Sequence, residues 1–152
     1  MPRGFAFTAA GFALVGVSYG FIRFSYGQFL PQIRLALGLD EAMAGLLGSV
    51  LFLGNCAALL VAAFLTSRWG PRAVATISGV IASIGLLAMS AAPTATTFAM
   101  AVGFAGLAAG LSMPPLIAAV SQAVRVDRQA LSGTVINSGS SAGIMLSGPI
   151  AI

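Results

Sequence analysis

The sequence contains no histidine and no lysine, a single cysteine, and only three acids in 152 residues. Each shortage removes a class of function. Without histidine, the usual zinc and haem ligation and most acid–base catalysis are absent. The stretch Gly139-Ser140-Ser141-Ala142-Gly143 fits the G-x-S-x-G pattern of serine hydrolases. A serine nucleophile needs a base to take its proton, and neither His nor Lys is present to do so. The pattern follows from serine and glycine abundance, and the chain is read as a non-enzyme with no cofactor and no metal. Cys56 has no intrachain partner and lies in an apolar run. The acids Asp40, Glu41 and Asp127 fall in turns, so the apolar runs hold no Asp, Glu or His from which a proton relay could be built. No G-K-[ST] follows any glycine cluster, which excludes a phosphate loop.

Charge is scarce as well. Only 7% of residues are charged, against about 25% in soluble domains. What fills the chain is apolar: 59% hydrophobic residues and a mean hydropathy of +1.03. This composition defines an all-α integral membrane protein whose principal partner is the lipid bilayer. The net charge of +4 comes from seven arginines against three acids, most of the arginines in short turns, so nucleic-acid binding is discounted. The 19 glycines and seven prolines suit membrane helices, which tolerate both.

Five membrane helices are predicted, at about 5–33, 42–66, 73–92, 95–124 and 130–152, forming a single transmembrane domain. The first apolar run is too long for a signal peptide. It is interrupted once, by Arg23 within Tyr19-Gly20-Phe21-Ile22-Arg23-Phe24-Ser25-Tyr26-Gly27. An arginine at a helix centre costs roughly 2.5–3.5 kcal/mol on insertion scales. It persists where water, a counter-charge or a ligand reaches it. At about 100° per residue, Gly16, Gly20, Arg23 and Gly27 share a face within about 60°, flanked by Tyr19 and Tyr26. Arg34 holds the interface about 16 Å further along the axis, too far for Arg23 to reach easily. Arg23, Tyr19, Tyr26 and Gly20 are therefore candidate cavity residues, with Gly16 and Gly27 shaping a packing groove.

Asp40-Glu41 offers an N-cap and an acidic first turn to the second helix. Asn55 in that helix suits an interhelical hydrogen bond and is also a candidate for the cavity. Ser67-Arg68-Trp69-Gly70-Pro71-Arg72 is a tight basic turn with an interfacial tryptophan. In the fourth helix Gly106 and Gly110 form a small-xxx-small contact, and Pro114-Pro115 predicts a kink. The fifth helix is rich in serine and glycine, with Asn137, Ser141 and Gly148 on one face. Asn137 joins the cavity candidates.

With these residues in place, the chain resembles the amino-terminal half of a Major Facilitator Superfamily transporter. Ala63-Phe64-Leu65-Thr66-Ser67-Arg68-Trp69-Gly70-Pro71-Arg72 aligns with that family's basic loop of the form G-x-x-x-D-R-x-G-R-R between helices 2 and 3. Arg68, Gly70 and Arg72 match it, as conformational-loop residues. Ser67 stands where the family has aspartate, and Ala63 where it has glycine. Val102 occupies the place of a helix 4 arginine. Gly139, Gly143 and Gly148-Pro149 resemble, with altered spacing, the glycine–proline motif of exporters, which adds Gly148 and Pro149 to the packing set. The first helix, with Leu30-Pro31-Gln32-Ile33-Arg34 and Leu37-Gly38-Leu39, resembles the bacterial YbfB/YjiJ-like branch.

The resemblance implies part of an N-terminal six-helix bundle, with the C-terminal bundle absent. It implies an inner-membrane secondary transporter of a small solute, working by alternating access, and does not itself name the substrate; an anionic group on the solute is what Arg23 would meet. Such a chain would be a fragment that needs its missing half, or a second copy, to transport. The alternative is a complete small homo-oligomeric membrane protein acting as a channel or assembly partner.

Orientation follows from the arginines. With a cytoplasmic N-terminus, Arg3, Arg68, Arg72, Arg125 and Arg128 are inside and Arg34 alone is outside. In intact cells, with Cys56 replaced by alanine, an impermeant thiol reagent is expected to label Thr94→Cys and spare Trp69→Cys. The reverse pattern would invert the topology.

Overall fold

The computed structural model describes residues 2–150; the side chains of residues 2–4, 23–26, 28–29 and 148–150 lie outside that description. The first span is made of three segments end to end: α1 (Pro2–Val15), a π-helical segment (Gly16–Phe24) and α2 (Ser25–Leu37). It is followed by α3 (Glu41–Trp69), α4 (Pro71–Ser90), α5 (Ala95–Ala123) and α6 (Val126–Ile150).

The first span runs past the predicted end at residue 33, because Pro31 lies inside α2 and does not stop it. It stops at Gly38, whose φ of 64° is a left-handed conformation that glycine adopts freely. The Leu39 amide then donates to the Arg34 carbonyl at 3.0 Å, the six-to-one bond of a Schellman cap. Asp40 opens α3 as the sequence suggests, its Oδ1 accepting from the Met43 amide at 2.7 Å. The basic turn after α3 is a single residue: Arg68 and Trp69 complete α3, Gly70 has φ of 82°, and Pro71 starts α4. Proline fits there because the first helical amide has no partner in any case. Thr94 and Thr97 form a reciprocal capping box at the start of α5. Pro114 and Pro115 are accommodated within α5, which continues to Ala123.

Among the described residues, four stretches are long and apolar enough to cross a membrane: Phe5–Ile22, Glu41–Trp69, Pro71–Ser90 and Ala95–Ala123. The fifth predicted crossing, α6, has the length, with 25 residues, but its serines, Asn137 and the charged first turn lower its hydropathy. Four of its hydroxyls are satisfied within the helix. Ser138, Ser140 and Ser147 donate to the Val135, Asn137 and Ile144 carbonyls, and Thr134 donates to Ala130. A helix that bonds its own hydroxyls in this way presents little unmet polarity to a bilayer interior.

The bundle is organised around α5, which packs along α3 on one side and α4 on another, while α6 packs against α1 and the π segment. The apolar core joins Ile22 of the first span, Leu47 and Leu51 of α3, Ala82 of α4, and Phe98, Val102, Ala105 and Ala108 of α5. The α4–α5 contact carries a buried hydrogen bond, from Ser78 Oγ to the Ala108 carbonyl at 2.8 Å. Leucines such as Leu53 and Leu60, 71% and 82% exposed, form the outer surface expected to meet lipid tails.

Along the α3–α5 seam the two backbones approach closely at glycines. A Cβ on Gly106 would strike the Leu51 carbonyl, and one on Gly110 would strike the Asn55 carbonyl. One on Gly54 would lie 2.6 Å from the Gly103 carbonyl oxygen. Leu111, next along α5, is 7% exposed and packed with Ala58, Ala62 and Val74. Over-packing of this kind costs about 1–3 kcal/mol. Gly106→Ala and Gly110→Ala are therefore expected to lower the melting temperature in detergent. Gly45→Ala, whose Cβ meets nothing within 4 Å, is expected to hold or raise it. Equal shifts for all three would mean that α3 and α5 do not touch along this face.

Candidate solute site

A cleft of about 700 Å³ opens between the C-terminal half of α5 and the N-terminal half of α6. Met113, Leu116, Ile117 and Val120 line it from α5, and Gln129, Thr134 and Asn137 from α6. The apolar wall comes from the turns of α5 that follow its proline pair. The polar wall comes from the serine- and threonine-rich start of α6. Gln129 is partly committed to structure: its Nε2 donates to the Val124 and Ser121 carbonyls at 3.0 and 3.3 Å, closing the C-terminus of α5. Thr134 donates to its own helix at Ala130. Asn137 is exposed and faces the cleft through both a donor and an acceptor. Tyr19 from the π segment packs against Leu116, Val120 and Ile136, which also line the cleft.

The six predicted cavity residues do not converge on one place. Asn137 lines the cleft and Tyr19 supports its inner wall. Asn55 lies elsewhere, beside a void of about 10 Å³ shared with Ser18, Ile22, Leu51, Phe52, Gly106 and Ala109. Gly20 is a seam residue and not a cavity residue, because a Cβ there would lie 2.6 Å from the Gly143 Cα and 2.9 Å from the Ser140 carbonyl oxygen. The side chains of Arg23 and Tyr26 fall outside the described residues, as do those of Gly148 and Pro149.

The single groove inferred for Gly16, Gly20, Arg23 and Gly27 also needs correction. A rotation of about 100° per residue holds for an α-helix, and a π-helix takes in an additional residue per turn. The π segment therefore breaks the register of the face. Gly16 and Gly20 turn to α6, where a Cβ on Gly16 would be 3.2 Å from the Gly139 carbonyl oxygen, whereas a Cβ on Gly27 meets nothing within 4 Å. Gly27 is exposed and packs against no neighbour among the described residues. Gly139 and Gly143 complete the contact, reaching the Phe12 and Gly16 carbonyls.

Ser18 is a residue that sequence reading passed over. It is fully buried in the π segment, four positions before the similarly buried Ile22. Its position between Val17 and Tyr19 in an apolar run was the available signal.

The conformational-loop residues sit at the end of the bundle where α6 begins. Arg68 and Arg72 are exposed on either side of Gly70. Ser67, in the aspartate position of the resemblance, donates to the Phe64 carbonyl at 2.8 Å and so turns back on its own helix. Described charges elsewhere pair near helix ends: Arg34 with Glu41 at 3.7 Å, and Arg125 with Asp127 at 3.2 Å. Among the described residues no group of His, Cys, Asp and Glu could hold a metal ion.

A helical bundle with glycine seams and a half-open cleft is what one part of a multi-helix membrane transporter presents, and sequence comparison agrees. Residues 12–152 match the Major Facilitator Superfamily, and the chain belongs to that family. Monocarboxylate transporter 11 of Mus musculus is 33% identical over 84 residues, covering 55% of this chain and 19% of the relative. The Homo sapiens protein of the same name is 32% identical over 84 residues, covering 55% and 18%. An uncharacterized MFS-type transporter of Yersinia pestis is 29% identical over 87 residues, covering 57% and 23%. The alignments thus span about a fifth of the length of these curated relatives. The protein is a multi-pass membrane protein of a transporter family.

Proposed function

We propose that this chain supplies the amino-terminal wall of a secondary active transporter for a small carboxylate-bearing solute. It works by alternating access in a bacterial inner membrane, with its N-terminus in the cytoplasm, and a C-terminal bundle or a second copy closes the opposite wall. The YbfB/YjiJ-like branch is the part of the family we assign it to, on the Arg23-Phe24-Ser25-Tyr26-Gly27 stretch.

The observation that carries the reading is the cleft of about 700 Å³ with Asn137 exposed in its wall. Its volume lies within the range of roughly 300–1,000 Å³ typical of small-molecule sites. It combines an apolar wall with a hydrogen-bonding amide. Arg23 supplies the anion preference: the five predicted helices contain no acid to pair with it, so a carboxylate on the solute or on the opposite wall is its natural partner. The name of the mouse and human relatives supports a monocarboxylate as the first solute to try.

The test is uptake of radiolabelled lactate and pyruvate into vesicles carrying the transporter, normalised to protein in the membrane. Arg23→Lys keeps the charge but loses the planar guanidinium fork, and is expected to insert normally and transport at least tenfold more slowly. Arg23→Ala is expected to insert at least as well and not to transport. Asn137→Leu is expected to raise KM with little change in membrane level. Wild-type rates in Arg23→Ala would reduce the arginine to an anchor and remove the site assignment.

A further inference from the structure

The cleft between α5 and α6 is roomy and carries no charge. None of the residues lining it is acidic or basic, and its volume is about 700 Å³. An acid as small as pyruvate leaves most of that space unfilled. The hydrogen-bond donors of the wall are nearly all committed. Ser121 donates to the Ala118 carbonyl, Gln129 to the Ser121 and Val124 carbonyls, and Thr134 to the Ala130 carbonyl. The side-chain amide of Asn137 is left to bond a guest.

Such a wall distinguishes the two ends of a carboxylate solute. A carboxylate moved into it gives up water and gains no positive charge, which is unfavourable. An apolar body moved into it sheds its hydration against Met113, Leu116, Ile117 and Val120, which is favourable. A keto or hydroxyl group on that body can meet Asn137.

Gly133 gives the wall its depth. It lines the cleft and is exposed, and a Cβ built on it meets nothing within 4 Å. Gly139 and Gly143, further along the same helix, differ: a Cβ on either would strike a carbonyl of the first span. Gly133 lies inside α6 and is not among the positive-φ glycines, so neither a backbone contact nor a turn calls for it. A glycine inside a helix is destabilising relative to alanine. What this one provides is open space in the cleft.

We propose, resting on the carboxylate-transporter reading above, that the cleft receives the apolar body of the solute while its carboxylate stays outside, and that Gly133 sets the bulk of the body accepted. The solute class then narrows to monocarboxylates with a branched or ring-bearing body.

Protection from thiol labelling tests this without requiring transport. The full chain carrying Cys56→Ala and Ala130→Cys, a cleft-lining position, is placed in lipid nanodiscs and treated with N-ethylmaleimide, an uncharged reagent. Phenylpyruvate is expected to slow labelling several-fold, and pyruvate at the same concentration to leave the rate unchanged. Adding Gly133→Leu is expected to abolish the protection by phenylpyruvate. Three results would overturn the proposal: no protection by phenylpyruvate, as for a cleft filled by a lipid chain; equal protection by both acids; or protection undiminished by Gly133→Leu. If Gly133→Leu fails to insert, Gly133→Ala takes its place, with a partial loss of protection expected. Arg23→Ala separates this proposal from the reading beneath it. Protection that survives Arg23→Ala would contradict the carboxylate's pairing with Arg23 and leave the cleft assignment standing.

Discussion

The bundle rests on helices whose backbones touch. Between α3 and α5, and again between the first span and α6, carbonyl oxygens of one helix lie where the Cβ of the other would be. In a bilayer the hydrophobic effect does not drive one helix against another, because lipid tails are as apolar as leucine. Association depends on close packing and on weak Cα–H···O contacts, which need that proximity. Glycine is therefore a structural requirement at Gly106, Gly110, Gly139 and Gly143, for reasons of space and not of backbone angle. The positive φ values are confined, among the described residues, to Gly38 and Gly70 at helix ends. The two seams fix α5 between α3 and α4, and α6 against the first span. The larger cleft opens between these two pairs, at the α5–α6 boundary, where contact is sparse.

Polar groups obey the second constraint of a lipid environment, that each must find a partner within the protein. The serine- and threonine-rich helices meet it locally, hydroxyl to carbonyl within a turn. This is how α6 carries Ser138, Ser140 and Ser147 in a bundle of apolar helices, while Ser132 meets Thr8 of α1. Ser78 meets it across a seam, to Ala108. Three buried side-chain oxygens among the described residues stay without a partner, Ser18 Oγ in the π segment and Asn55 Oδ1 and Thr66 Oγ1 in α3.

Much of the fold was legible from residues alone. The apolar runs gave the helices, Asp40 and Thr94 lie at helix starts, and Gly38 and Gly70 mark where helices end. What was not legible has two physical causes. Proline ends a helix only where the lost hydrogen bond cannot be absorbed, and Pro31 sits inside a continuous helix. Face reckoning assumes a constant rotation per residue, and the π segment departs from it, so that Gly20 packs on α6 while a Cβ on Gly27 meets nothing within 4 Å. Of the candidate site, Asn137 stood in an expected face and does line a cleft, while Asn55 proved to serve another void. Family membership was readable from the Arg68-Trp69-Gly70-Pro71-Arg72 turn before comparison established it over residues 12–152.

The central claim is that the π segment turns Gly16 and Gly20 into a backbone seam with α6 and leaves Gly27 outside it. The most direct measurement compares the melting temperatures of Gly20→Ala and Gly27→Ala in the same detergent. The two positions lie seven residues apart on one span, and both would share a face in an uninterrupted α-helix. The added methyl at position 20 meets the Gly143 backbone at 2.6 Å, which no side-chain rotation relieves, while at position 27 it meets nothing within 4 Å. The account predicts a drop of several degrees for Gly20→Ala and no loss for Gly27→Ala. Equal destabilisation by both substitutions would restore the regular helix and contradict the account.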